Sequence, residues 1–257
     1  MNTPVITPNR AKRHKSAEAL LLSGAGARLA WLALPLGALS AALATHLAPG
    51  GALVSVGLFA LLACVIAYLM RAHYPHARLG SANAVTLLRA ALVCALVAPL
   101  AAEVFAPAPI PSQARWLITA IATLALMLDG LDGWLARRSG LSSSFGARFD
   151  MEVDAALGLI LALSVAIAGT VGVWVLALGA MRYAYVLAGF ALPWLNAPLP
   201  ERFRRKLICV VQIGTLIVLT VPGLGALPAT LLAASATLAL GGSFAADIIW
   251  LARRRAT

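Results

Sequence analysis

Negative charge is what this chain has least of. It has nine aspartates and glutamates in 257 residues, against twenty lysines and arginines, and charged residues of both signs make up only 11%. With 61% hydrophobic residues beside so little charge, a water-soluble domain is excluded and a polytopic helical membrane protein is implied. Cysteine is also scarce. Cys64, Cys94 and Cys209 each stand alone in an apolar run, which excludes a disulfide framework and a thiolate metal site. They read as small buried hydrophobes. The four histidines have no ligand spacing, and the chain shows no internal repeat and no soluble domain. The net charge of +11 would suit a nucleic-acid partner, but its distribution along the chain does not.

Basic residues recur in alternate connectors. Residues 1–28 form a basic arm carrying Arg10, Lys12, Arg13 and Lys15, suited to the cytoplasm and to anionic lipid headgroups. The first apolar run after it is too long for a signal-peptide core and is read as a retained span. Apolar stretches follow at 29–47, 51–70, 83–104, 114–137, 147–169, 171–193, 205–222 and 226–250, each near the ~20 residues a bilayer requires. Arginine marks the connectors 71–82, 137–148 and 194–206 and the tail. The connectors between carry no positive charge, with Arg115 just beyond one of them as the exception. Eight spans with both termini in the cytoplasm satisfy the positive-inside rule, and the charge needs no nucleic acid. The predicted organisation is an arm at 1–28, an appended hairpin at 29–70 and a six-helix unit at 71–257.

Against this background, five of the nine acidic residues fall between positions 129 and 154: Asp129, Asp132, Asp150, Glu152 and Asp154. Carboxylates near a bilayer are costly and mark sites of chemistry or polar cavities. On a helix, Asp129, Asp132, Gly133, Ala136 and Arg137 share a stripe of about 140°. Asp150 and Asp154 lie one turn apart on the next helix. The Gly140–Ser144 connector is short enough to set the two helices antiparallel, so the four aspartates can converge. Such a cluster needs a cation, and hard divalent ions such as Mg²⁺ or Mn²⁺ take oxygen ligands of this kind. Gly133 and Ala136 leave room for a ligand, and Arg137 offers a fork of donors to phosphate. A solvated helix cap explains one such pair of aspartates but not four with Gly and Arg on adjacent helices. A transporter for a small ion or phosphate ester is the alternative from another class. Its coupling site, however, would sit near the midplane on broken helices, and no proline occurs between 113 and 192 to break these.

The window resembles the signature of the CDP-alcohol phosphatidyltransferase family: D-x-x-D-G-x-x-A-R, eight residues, G, three residues, D, three residues, D. Here these positions are Asp129, Asp132, Gly133, Ala136, Arg137, Gly146, Asp150 and Asp154. The resemblance implies an all-α integral-membrane enzyme whose six-helix core begins near residue 83. It implies transfer of a phosphatidyl group from CDP-diacylglycerol to a small polar alcohol, with release of CMP. It also implies two divalent ions held by Asp129, Asp132, Asp150 and Asp154, with Asp154 as general base and Gly133, Ala136, Arg137 and Gly146 on the donor. Family members often pair, which leaves a homodimer open. The signature equally admits the reverse partition, a soluble CDP-alcohol donating to diacylglycerol.

Other polar residues in the spans extend this reading. Asn83, Thr86 and Arg89 stand at helical spacing and resemble a similar run in family members, with Asn83 and Thr86 expected on the donor nucleoside. A helix N-cap followed by packing is the alternative for them. Arg182, near the middle of a span, should face a polar cavity or a carboxylate. With Arg148 and Arg89 it is expected to form a basic acceptor pocket, suited to an alcohol that already bears phosphate. Arg202, Arg204, Arg205 and Lys206 read as topology determinants. Glu152 is expected to pair with Arg138 or Arg148 or to face a neighbouring helix, and Asp247 to pair with Arg253 or Arg254.

Overall fold

The computed structural model describes residues 24–105, 110–200 and 203–255, and among these residues every regular element is a helix. The α-helices are α1 (Ala25–Leu47), α2 (Ala52–His73), α3 (Ser81–Ala95), α4 (Val97–Phe105), α5 (Ser112–Ser139), α6 (Ser144–Ile167), α7 (Leu176–Ala191), α8 (Phe203–Thr220) and α9 (Ala226–Arg255). α3 and α4 form one rod interrupted at Leu96, giving eight rods where eight apolar stretches were expected. The interruption follows from Pro99, which has no N–H for the Ala95 carbonyl and crowds it with its ring. Of the basic arm expected over 1–28, only residues 24–28 are described, and α1 already begins at Ala25.

Six rods are both long and apolar enough to cross a bilayer: Ala25–Leu47, Pro49–His73, Ser81–Phe105, Ser112–Ser139, Val173–Ala191 and Ala226–Arg254. The chain is an all-α polytopic membrane protein. α6 and α8 are the other two rods, and charge is what sets them apart. α6 carries Arg148, Asp150, Glu152 and Asp154, and α8 opens with Arg204, Arg205 and Lys206. Both pack among the apolar rods, α6 against α3, α7 and α8, and α8 also against α5 and α9.

The α3–α4 rod is the most enclosed of the spans. It packs against the hairpin of α1 and α2 on one side and against α5 and α6 on the other. The hairpin is part of the same core, contributing Ala25, Leu29, Phe59, Ile66 and Met70 alongside Leu87, Leu92, Leu157 and Leu161. Arg28 on α1 donates to the Leu79 carbonyl at 3.1 Å, fixing the approach to α3. Gly179 lets α7 lie close to α6, since a Cβ there would come within 2.8 Å of the Ala162 methyl and the Gly158 carbonyl. Arg115, the exception to the charge rule, donates to Thr170 Oγ1 at 3.4 Å, joining the start of α5 to the connector after α6.

Lipid exposure corrects one expectation. Cys94 is buried, but Cys64 and Cys209 are exposed on their helices, because a bilayer lets an apolar thiol face outwards at no hydrophobic cost. Trp31, Trp116, Trp134 and Trp174 are all exposed near rod ends, as residues of interfacial belts are.

Candidate active site

The site begins with a turn. Gly140 ends α5 in the left-handed region at φ 65°, where glycine has no steric penalty. Ser143 then caps α6, its Oγ accepting from the Gly146 N–H at 3.0 Å, and Ser142 Oγ donates back to the Ala136 carbonyl at 3.0 Å. This short connection makes α5 and α6 neighbours and sets the last turns of α5 beside the first turns of α6. The start of α3 packs against both.

The four aspartates converge, and the group they converge on is Arg89. Its Nη1 lies 2.8 Å from Asp132 Oδ2 and 3.2 Å from Asp129 Oδ1, and it also donates to Asp150 Oδ1. Nη2 donates to Asp154 Oδ1, and Nε donates to the Ala125 carbonyl at 3.1 Å. The guanidinium is wholly buried. Asp132 is nearly so, and it accepts a further bond from Thr86 Oγ1 at 3.2 Å. The other three carboxylates are partly open. The aspartates are thus divided: Asp129, Asp132 and Asp150 meet around one nitrogen, and Asp154 engages the other. Arg89, grouped by sequence with an acceptor pocket, stands at the centre of the carboxylates. An arginine buried this deeply is stable only where anions surround it.

One oxygen from each of Asp129, Asp132 and Asp150 lies within 4.8 Å of the others. All three are hard anionic donors, two on one helix and one on the next, and they fit a divalent cation of the Mg²⁺ or Mn²⁺ type.

The remaining signature positions play two different parts. A Cβ on Gly133 would meet only Arg137 Nη1, at 3.6 Å, so this face of α5 is open beside an exposed arginine. At Gly146 a Cβ would sit 2.7 Å from Asn83 Oδ1, so the missing side chain is required for α6 to approach α3. Asn83 is buried, and its Nδ2 donates to Tyr74 Oη at 3.2 Å. Tyr74 Oη also accepts from the Gly80 N–H at 3.1 Å and donates to the Arg78 carbonyl at 3.0 Å. Sequence reasoning missed Tyr74. A tyrosine among the polar residues that follow α2 carries no local mark of the network it organises, and its value depends on contacts with α3 and with Phe145 on α6.

Arg182 on α7 pairs with Glu152 and lies 3.0 Å from Met151 Sδ, so Glu152 faces a neighbouring helix, the second of its two expected placements, rather than pairing with Arg138 or Arg148. Glu152 points away from the aspartates on α6, toward α7, and Arg182 is the cation that α7 supplies there. The buried Nε of Arg182 has no hydrogen-bond partner among the described residues. Arg148 is exposed at the start of α6. Arg138 lies over the Trp134 ring at 5.1 Å. Asp247 reaches across to α8, 3.0 Å from Arg204 Nη2 and 3.9 Å from Arg205 Nε, where sequence had paired it with the tail arginines. α8 packs against α9, so these cations come from the neighbouring rod.

The geometry joins a tight carboxylate cluster, an open small-residue face and nearby arginines at one end of a lipid-embedded bundle. No curated protein and no solved structure matches the chain significantly. A family model does match, that of CDP-alcohol phosphatidyltransferase, over residues 79–243, a stretch that runs from just before α3 into α9. That match covers well over half of the chain and contains every signature residue, and its members are transferases of substituted phosphate groups that act on CDP-alcohols in membranes. The chain belongs to the CDP-alcohol phosphatidyltransferase family.

Proposed function

We propose that this protein transfers a phosphatidyl group from CDP-diacylglycerol to a small polar alcohol, releasing CMP, as a step of phospholipid biosynthesis. The observation that carries this reading is the convergence of Asp129, Asp132, Asp150 and Asp154 at one end of a bundle otherwise suited to lipid. A donor with two acyl chains can enter such a bundle sideways from the bilayer, while a water-soluble acceptor comes from the aqueous side. All eight rods cross the cytoplasmic membrane in this reading, with both termini and the aspartates on the cytoplasmic side. The alternation of arginine-rich connectors supports that orientation.

Asp129, Asp132 and Asp150 would hold the divalent ions, Mg²⁺ or Mn²⁺ and two in number, with Asp154 at the edge of the set. Ions of this kind offset the charge of the diphosphate and of the departing CMP. Gly133 and Ala136 leave the α5 face open for the donor, and Arg137 beside them donates to its phosphates. Asn83 and Thr86 lie on the nucleoside side, and Gly146 acts through Asn83 by letting its carboxamide sit against α6. The Asp154 carboxylate takes the proton from the acceptor hydroxyl. The freed oxygen attacks the phosphorus that bears the lipid, the bond from that phosphorus to the CMP oxygen breaks, and no covalent enzyme intermediate is needed.

Arg182 and Arg148 favour an acceptor that already carries a phosphate. The support is the Nε of Arg182, a buried donor with no hydrogen-bond partner among the described residues. CMP release by the purified protein in detergent, with CDP-diacylglycerol and Mg²⁺ or Mn²⁺, tests the reading against a panel of glycerol 3-phosphate, inositol phosphate, inositol, serine and choline. Metal-dependent release with one acceptor, absent in Asp154→Asn, is the expected result. Release only when a soluble CDP-alcohol and diacylglycerol are supplied would reverse the partition, and release with neither pair would overturn the assignment.

A further inference from the structure

The cation at the centre of the cluster belongs to the protein itself. Arg89 Nη1 touches one oxygen of each of Asp129, Asp132 and Asp150, the three carboxylates whose oxygens lie close enough to share an ion. A guanidinium nitrogen held among these three carboxylates competes with any ion that they would share. We propose that Arg89 is an internal counter-ion, filling the cation position of the aspartate cluster in the metal-free protein and giving way to the first divalent ion. This rests on the reading of Asp129, Asp132 and Asp150 as metal ligands.

Electrostatics supplies the reason for such a residue. Four carboxylates gathered at a membrane boundary repel one another strongly. A chain that must insert and pack before any ion arrives needs a positive charge there from its own sequence. Arg89 is wholly buried, and among the described residues its terminal nitrogens meet only these carboxylates. One guanidinium still leaves the cluster with an excess of three negative charges, so the site stays attractive to divalent ions. Two such ions would match the four carboxylates without Arg89. The separate bond from Nε to the Ala125 carbonyl holds the base of the guanidinium to α5 while its terminal nitrogens exchange partners. Metal binding then competes with an ion pair built into the fold, which lowers the apparent affinity and keeps the empty site folded.

The test uses full-length protein in detergent, with Mn²⁺ binding followed by the electron-spin signal of free Mn²⁺ and stability followed by thermal unfolding. Arg89→Gln is expected to melt at lower temperature than wild type in chelator, to gain more from Mn²⁺, and to bind Mn²⁺ tighter by roughly tenfold or more. Unchanged or weaker Mn²⁺ binding by folded Arg89→Gln would overturn the exchange while leaving the metal site in place. Mn²⁺ binding absent from wild type and variant alike would overturn the metal reading and the exchange with it. Should Arg89→Gln not fold, wild-type protein labelled with ¹⁵N-arginine still decides, with Arg89→Lys identifying the signal. The buried guanidinium Nε–H resonance should move as Mg²⁺ is added, and a resonance fixed at saturating Mg²⁺ would overturn the proposal.

Discussion

Gly146 on α6 lies against the carboxamide of Asn83 on α3, so closely that a Cβ on the glycine would stand 2.7 Å from Asn83 Oδ1. Asn83 is in turn bonded to Tyr74. A glycine in the family signature thus sets the spacing between two helices that each deliver residues to the carboxylate cluster, Arg89 from α3 and Asp150 and Asp154 from α6. Gly146→Ala should push Asn83 from Tyr74 and move α6 outward, destabilising the protein by about 1–3 kcal/mol. Activity should fall further than stability, because the Arg89–Asp154 register shifts with the helix. Thermal unfolding and CMP release measured side by side check this, and a fully active Gly146→Ala would remove the spacing role.

Asp129 and Asp154 should respond differently to the same substitution. Asp154→Asn keeps the shape but cannot take a proton, so turnover should vanish while CDP-diacylglycerol still binds. Asp129→Asn removes one of the three oxygens gathered within 4.8 Å, and should weaken metal-dependent donor binding along with turnover. Donor binding in the presence and absence of Mn²⁺ separates the two, and full activity in either variant would refute its assigned role.

Arg182 is tied to Glu152 yet retains an unsatisfied Nε. Arg182→Gln should raise KM for a phosphorylated acceptor by about tenfold, the scale of one lost charge-assisted hydrogen bond. KM for CDP-diacylglycerol should stay nearly unchanged. Steady-state kinetics with each substrate varied in turn would show it, and an unaltered acceptor KM would take Arg182 out of the pocket.

Asp247, nearly buried on α9, is held by Arg204 and more distantly by Arg205. These arginines are about one-third exposed, so the pair is not fully desolvated. Asp247→Asn should still destabilise the α8–α9 contact by about 1–2 kcal/mol and lower the melting temperature in detergent, while donor affinity is unaffected. A loss of donor affinity with stability intact would instead connect Asp247 to the site.

The sequence by itself determined the class of the protein, its eight rods, the turn between α5 and α6, and the convergence of four aspartates. These features are local: apolar run length, the Gly140 and Ser143 caps, and i, i+3 or i, i+4 spacing act within a helix or across one short connection. It could not show which partners the charges take. The pairing of Glu152 with Arg182, of Asp247 with Arg204, and of Arg89 with all four aspartates joins residues thirty or more positions apart. Tyr74 and Gly146 meet through Asn83 in the same way. Only tertiary structure decided these, because a buried charge takes whatever opposite charge the packing of neighbouring helices brings within reach. In this protein the packing placed an arginine of the most enclosed rod at the centre of the aspartate cluster.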